Sequence, residues 1–445
     1  MKLFGTDGIR GKANQHPITP EMAVKVGKGI ASYLKKKKQK EKIKIVIGKD
    51  TRLSGYMLEG ALTSGIVSRG ADVLLVGPMP TPAIALLTRS LNADAGIVLS
   101  ASHNPAEDNG IKFFGNDGFK LNEEEEQELE EEILKENNGF NKIGKAFRIN
   151  DAQGRYIEFA KSSIKNTDLS GIKIALDCAN GAAYHIAPKI FSELGAEVIP
   201  FGINPDGMNI NHECGATNTE LIQRKVLEFK ADIGIALDGD ADRAMFCDEK
   251  GNLIDGDQII GVCALDLKER NRLENNLIVS TKMSNLGLEK KLKEHGIELI
   301  KTDVGDKYVI EEMRKRNSIL GGEQSGHIIF SRYSTTGDGI ISALNFLRIL
   351  KNKKNKASEL ASVIPKFPQT LINVKVKEKK DLNEMHKVNK KINEVEIKLN
   401  GNGRTLVRYS GTENVARVMV EGANQKEIES YAQEIALEIK KEIGA

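Results

Sequence analysis

Three aspartates at alternate positions, Asp238, Asp240 and Asp242 in the segment DGDADR, form the densest cluster of chemistry in this 445-residue chain. In an extended segment, alternation turns all three carboxylates to one side. Like charges so placed repel unless a cation lies between them, and an all-oxygen donor set suits Mg²⁺ or Ca²⁺. Together with Glu249 the spacing also fits an EF-hand calcium loop. That loop, however, needs glycine where Arg243 stands and a helix where the run IGIAL reads as a strand. A structural acidic turn is the plain alternative. One Mg²⁺, which keeps coordination positions open for phosphate oxygens, is the favoured reading.

A second polar turn, SASHNP (100–105), ends the apolar run AGIVL. Ser102 alone is a weak nucleophile, and no G-x-S-x-G elbow surrounds it. A turn built from Ser, Asn and Pro for backbone reasons is the alternative. If this loop faces DGDADR, a phosphoryl group on Ser102 supplies the cation with a fourth oxygen ligand. The cation then offsets charge on a phosphoryl group in transfer. Arg10 of GTDGIRG and Lys112 of NGIKFF offer positive charge for the same purpose. His103, as a hydrogen-bond partner, and Arg243 complete the candidates here.

Two further loops carry recognition chemistry. In GEQSGH, Glu323 and Ser325 offer an acceptor and a mixed donor–acceptor, which sugar hydroxyls or an amino group require; His327 is either an acid–base group or a structural histidine. In RYSGTENVAR, the residues Arg408, Ser410, Gly411, Thr412 and Arg417 combine hydroxyls, a glycine and two guanidinium groups, a set that fits a phosphate. A bulged hairpin turn with incidental arginines is the competing reading.

The elements that must position these loops repeat along the chain. Residues 42–77, 171–202 and 275–305 each read as a β-branched strand, a polar turn, an amphipathic helix, a glycine stop (Gly70, Gly195, Gly296) and a second strand. After each repeat an apolar strand empties into one of the first three loops. Continuous apolar strands alternating with helices predict mainly parallel sheets covered on both faces, with ligands at the carboxyl ends of the strands. The last eighty or so residues read instead as strand, helix, hairpin and closing helix. The predicted architecture is therefore α/β: three similar mixed, mainly parallel domains (1–152, 153–252, 253–364) and a C-terminal α+β domain (365–445), around a central cleft. The proline-bearing segment 363–369 is the joint.

Composition removes whole classes. A net charge of +3 from 65 basic and 62 acidic residues gives no case for nucleic acid. No apolar run is long enough to span a membrane, and the N-terminal MKLFGTDGIRG lacks the apolar core of a signal peptide. Four scattered cysteines without a C-x-x-C pair suit a reducing cytoplasm. The runs KKKKQKEKIK (35–44) and NEEEEQELEEEIL (122–134) read as a solvated helix end and an acidic surface helix.

FGTDGIRG, SASHNP, DGDADR, GEQSGH and RYSGTE, in this order over nearly the whole chain, resemble the α-D-phosphohexomutase superfamily, in the forms of its bacterial amino-sugar members. The resemblance implies that Ser102 is a phosphoserine and that Asp238, Asp240 and Asp242 hold Mg²⁺ together with its phosphate. It implies that Glu323 and Ser325 hold the sugar, and that Arg408, Ser410, Gly411 and Thr412 grip the non-reacting phosphate. Lys112 and Arg10 would be the acid–base and charge-stabilising groups. The implied reaction interconverts glucosamine 6-phosphate and glucosamine 1-phosphate through a bisphosphorylated sugar, feeding UDP-N-acetylglucosamine and cell-wall precursors. Mannose or glucose phosphate is the alternative substrate. A homodimer is also implied. Two departures from the family pattern are Ala241, where glycine is common, and Lys307, where arginine is common.

Overall fold

The computed structural model describes residues 3–5, 7–135, 142–165, 167–410 and 414–445. They form two compact units: Met1–Met283 with Gly296–Val363, and Ser284–His295 with Ile364–Ala445.

The first unit holds three sheets. Strands β1 (Ile9–Lys12), β2 (Lys44–Lys49), β3 (Asp72–Pro78), β4 (Ala95–Leu99), β5 (Asp108–Gly115) and β6 (Ala146–Arg148) lie in the order β1-β5-β4-β2-β3-β6. Strands β7 (Lys173–Asp177), β8 (Glu197–Phe201), β9 (Ile233–Leu237), β10 (Ala244–Asp248) and β11 (Leu253–Ile254) follow as β11-β10-β9-β7-β8. Strands β12 (Leu277–Thr281), β13 (Glu298–Thr302), β14 (Leu320–Gly322) and β15 (Ile328–Phe330) form β13-β12-β14-β15. One plan recurs. A parallel triplet (β3-β2-β4, β8-β7-β9, β13-β12-β14) ends in a strand that turns back antiparallel (β4 to β5, β9 to β10, β14 to β15).

The local chemistry explains the plan. Strands β4 and β9 are buried along their whole length, so their sequences are apolar without alternation. In each repeat a helix (Leu53–Val67, Ile186–Glu193, Leu286–Glu294) connects the first strand to the second. Gly70, Gly195 and Gly296 then take φ of 68°, 91° and 63°, backbone that only glycine adopts without a steric cost. In the first repeat Ile45, Ile47, Ile97 and Leu99 of the sheet pack with Leu58, Leu62 and Ile66 of the connecting helix. Each such side chain, fully buried, contributes about 1.5–3 kcal/mol. In the third repeat Asp338 caps the buried helix Gly339–Lys353 by accepting from Ile341 N–H.

The second unit is an antiparallel sheet of β16 (Gln369–Lys375), β17 (Gly403–Tyr409) and β18 (Val415–Gly422), with β18 central, backed by helices His386–Leu399 and Gln425–Ile443. Val388, Val395, Val418, Val420, Ile435 and Ile439 form its core. Residues 284–295 join this unit through specific bonds. The Asn285 side chain donates to Phe367 O and accepts from Phe367 N–H, both at 2.9 Å, and Glu421 Oε1 accepts from Leu286 N–H at 2.8 Å. The segment read as a joint, 363–369, is thus fastened at Phe367 to the helix Leu286–Glu294. The fold class is the one the sequence predicts. Among the described residues no helix is long and apolar enough to cross a membrane, and all four cysteines are buried free thiols.

Candidate active site

The first three candidate loops are the turns of three equivalent hairpins, 100–107 after β4, 238–243 after β9 and 323–327 after β14. In the first, Ser102 is 2% exposed and holds a left-handed φ of 51°. That backbone is unfavourable for a residue with a Cβ, so its surroundings must impose it. The buried Arg52 guanidinium donates to Ser102 O at 3.0 Å, Asn104 O at 2.8 Å and Pro105 O, and pairs with Asp50 at 2.9 Å. The Asn211 amide also donates to Ser102 O and Asn104 O. Ser100 Oγ donates to Asp50 and accepts from Ser102 N–H. The result points Ser102 Oγ at Asp238 Oδ2, to which it donates at 2.7 Å, with His103 Nδ1 at 3.3 Å.

The metal-type loop closes on this turn. A Cβ on Gly239 would stand 2.6 Å from Ser102 O, so only glycine permits the approach. Each of Asp238, Asp240 and Asp242 offers a carboxylate oxygen, and these lie within 4.8 Å of one another. They do not converge by strand alternation, as the extended-segment argument supposes. Residues 238–241 form a turn closed by Ala241 N–H donating to Asp238 O, and Ala241 has φ 57°. Ala241 thus holds left-handed backbone, which glycine adopts without a steric cost.

All three aspartates are buried. Asp240 Oδ2 accepts from Thr81 Oγ1 at 2.7 Å and from Lys112 Nζ at 2.8 Å, while Asp240 Oδ1 and Asp242 Oδ1 have no hydrogen-bond partner among the described residues. Burial, with Asp242 and Asp240 beside it, pushes the Asp238 carboxyl well up. For Asp240 burial acts the same way, but the Lys112 ammonium and the Thr81 hydroxyl outweigh it and hold the carboxyl low. Buried carboxylate oxygens without partners, facing one another, are a donor set that fits a hard divalent cation.

Lys112 is 1% exposed and remains charged. Burial opposes the ammonium, yet Asp240, Asp7 at 3.3 Å and Asp242 at 4.0 Å prevail. Arg10 pairs with Asp7 rather than with an aspartate of the metal-type loop. Arg243 is half-buried, its Nε 3.8 Å from Asp242 and without a hydrogen-bond partner. Burial and the cations Arg243 and Arg10 push His103 down to about 4, so its ring is neutral near pH 7. His327 is buried; its Nε2 accepts from Gly337 N–H at 3.2 Å and lies 3.8 Å from Asp242 and 3.7 Å from Asp306. Glu323 Oε1 accepts from Gly305 N–H at 3.2 Å, and Ser325 is exposed in the turn. Lys307 pairs with Glu123.

In the second unit, Arg408 and Arg417 sit directly opposite each other on β17 and β18. Like charges in that register destabilise a sheet, and burial together with Arg417 holds the Arg408 guanidinium below its usual range. Ser410 N–H donates to Val415 O, and Ser410 O accepts from Lys379 Nζ at 2.7 Å. Gly411 and Thr412 lie outside the described residues.

Asp50, Arg52, Thr81 and Asn211 go unmarked in the sequence as site residues. The signal for two of them was present: KDTRLSG is a charged turn at the carboxyl end of an apolar strand. Asp7 and Asp306 stand inside GTDGIRG and VGDKYV but show no pattern of their own.

Four family models match in order. They describe phosphoglucomutase/phosphomannomutase domain I over residues 1–140, domain II over 154–251, domain III over 255–367 and the C-terminal domain over 371–438. The chain belongs to the phosphoglucomutase/phosphomannomutase family. Within this family of phosphohexomutases, a phosphoglucosamine mutase of Geobacter sp. (strain M21) is 53% identical over all of this chain and 98% of its own length. That of Bdellovibrio bacteriovorus is 53% identical over all of this chain and 99% of its own. Among solved structures, a phosphoglucomutase/phosphomannomutase family protein from Burkholderia thailandensis superposes with a TM-score of 0.83 at 24% identity, over 99% of this chain and 97% of that one. The Aspergillus fumigatus N-acetylphosphoglucosamine mutase, in complex with GlcNAc-6P and magnesium, superposes with a TM-score of 0.67 at 18% identity, over 99% and 95%. As a member of this family, the protein is an isomerase that works by phosphotransfer.

Proposed function

We propose that the protein interconverts glucosamine 6-phosphate and glucosamine 1-phosphate, with phosphorylated Ser102 as the donor and acceptor of the moving phosphoryl group. The observation that carries this reading is the 2.7 Å contact between Ser102 Oγ and Asp238 Oδ2, inside a cluster of three buried carboxylates. Full-length identity to curated phosphoglucosamine mutases supports the amino sugar as substrate.

Ser102 presents the phosphoryl group at a backbone bend that Arg52 and Asn211 hold rigid, so little reorganisation precedes transfer. A sugar hydroxyl attacks phosphorus, the bond to Ser102 Oγ breaks, and the net proton passes from the sugar hydroxyl to Ser102. The product is a sugar bisphosphate. It turns over in the site, and its other phosphoryl group returns to Ser102 by the reverse step. Asp238, Asp240 and Asp242 are the residues to hold Mg²⁺, which when bound offsets charge on the phosphoryl oxygens. Lys112 supplies fixed positive charge beside them. Glu323 and Ser325 orient the sugar, and Arg408, Ser410 and Arg417, with Gly411 and Thr412, take the phosphate that is not reacting. Either phosphate can fill that one cradle, which is why a single serine serves both ends of the sugar. Arg10, His103, Arg243 and His327 border the same site. Four free thiols support a reducing, cytoplasmic setting, and a homodimer is the assembly to test by sedimentation.

Peptide mass spectrometry should find one phosphate on Ser102, and Ser102→Ala should lower turnover by at least about a thousandfold while the chain stays folded. Full activity of that variant overturns the reading. Comparison of kcat/KM for glucosamine, glucose and mannose phosphates tests the sugar; a preference above about tenfold for a neutral sugar transfers the assignment to the glucose or mannose enzyme.

A further inference from the structure

Lys120 lies in none of the candidate loops, yet its ammonium joins Asp7, ahead of β1, to Asp306, the first residue of the helix Asp306–Arg316. It follows β5 in a tight turn (Gly115 N–H donates to Phe119 O, Leu121 N–H to Phe113 O), and its side chain is 16% exposed. Nζ donates to Asp7 Oδ1 at 2.6 Å and to Asp306 Oδ2 at 2.5 Å. From Asp7 the contacts run through Lys112 to Asp240. His327 Nε2 lies 3.7 Å from Asp306 and 3.8 Å from Asp242. Lys120 thus ties Asp306 to an arm that ends on an aspartate of the candidate metal site. Asp306 also stands next to Gly305, whose N–H holds Glu323 of the sugar loop.

Charge makes this contact more than a surface ion pair. Burial opposes ionisation of both Asp7 and Asp306. Both nevertheless stay ionised, Asp7 through Lys112, Lys120 and Arg10, and Asp306 chiefly through Lys120. Asp7 has three cations around it. Asp306 depends chiefly on one. Without the ammonium, two carboxylates that share one nitrogen would face each other in a poorly solvated place, and they would separate. Asp7 would then move against Lys112, and Asp306 would move with the Gly305 end of the sugar loop.

We propose that Lys120 is a positioning residue for phosphoryl transfer: by bridging Asp7 and Asp306 it sets the distance between Lys112 and the sugar-holding loop. The proposal rests on the mutase reading of the site. Lys120 touches none of the reacting groups, so its loss should misalign the transfer rather than abolish binding. Misplacement on the ångström scale costs up to about a hundredfold in rate.

The test uses the full-length phosphorylated enzyme. The parental chain is assayed first on glucosamine, glucose and mannose phosphates; absence of all three activities sinks the mutase reading itself. Given turnover, Lys120→Met should lower kcat by about tenfold to a hundredfold while KM changes by less than about threefold. Lys120→Arg, which keeps a charge able to span both carboxylates, should recover kcat to within about threefold of the parent. Asp306→Asn combined with Lys120→Met should be no slower than Lys120→Met alone, because both break one bridge. The role assigned to Lys120 is overturned if Lys120→Met keeps kcat within about twofold of the parent, or if the losses from the two substitutions multiply. A fall in melting temperature with unchanged kcat would make Lys120 a stability residue only. If Lys120→Met does not fold, Lys120→Arg and Asp306→Asn decide: full activity of Asp306→Asn, or no activity in a folded Lys120→Arg, removes the proposal.

Discussion

At the scale of single residues, the site depends on one close approach that substitution can probe. Gly239 leaves no room for a side chain against Ser102 O. Gly239→Ala should push the metal-type loop from the serine loop, costing about 1–3 kcal/mol in stability and most of the turnover; melting and initial-rate measurements check both. Asp338 offers a pH test. Burial pushes its carboxyl up to about 7 from an ordinary 3.8, although Tyr156 OH donates to both its oxygens at 2.9 Å. The folded chain therefore keeps this proton after the unfolded chain has lost it. The stability it contributes is complete below pH 3.8 and drains away as pH rises to about 7. Asp338→Asn removes the ionisation and keeps an acceptor for the helix cap. Its melting temperature should fall less than the parent's between pH 4 and pH 7, and equal slopes would refute the assignment. At this scale the sequence is legible where chemistry is concentrated, as in DGDADR. It is silent on Asn211 and Thr81, whose importance comes from contacts made by distant parts of the chain: Asn211 reaches Ser102 and Asn104, and Thr81 reaches Asp240.

At the scale of elements, the repeated strand–helix–strand pattern is readable because each copy buries a continuous apolar strand and stops its helix at a glycine. The hairpin that follows each copy is what turns an apolar run into a polar apex, and the sequence shows that as an abrupt change in composition. The way the three aspartates converge was not readable: a turn through left-handed Ala241, not strand alternation, brings them together. Nor was the attachment of 284–295 to the C-terminal sheet, since it rests on Asn285 and Glu421, two polar residues far from any motif. Within that sheet Arg408 stands directly opposite Arg417, and the proposed function gives Arg408 the phosphate that is not reacting. Arg408→Ala should raise KM by about tenfold with little change in kcat, since it removes binding common to ground and transition states. A fall in kcat alone would assign Arg408 a different role.

At the scale of the whole molecule, the buried carboxylates link folding to the cation. Without a cation, burial and the closeness of the three carboxyls reduce stability; a bound cation adds about 2.7 kcal/mol at a hundred times its dissociation constant. The melting temperature should rise with added Mg²⁺ and fall on chelation. Asp242→Asn should melt no lower than the parent in chelator yet gain less from Mg²⁺, and an identical Mg²⁺ response in the two proteins would remove Asp242 from the donor set. The three hairpin apices have one further consequence. Because the three apices hang from separate copies of one scaffold, each can change its sequence on strands that stay the same. The apex at 323–327 meets its neighbour Gly305 through the Glu323 carboxylate, which accepts from Gly305 N–H at 3.2 Å, and it also carries His327 beside Asp242. Rewriting Gln324 and Ser325 while Glu323 and His327 stay in place is thus the change this apex admits with those contacts left standing.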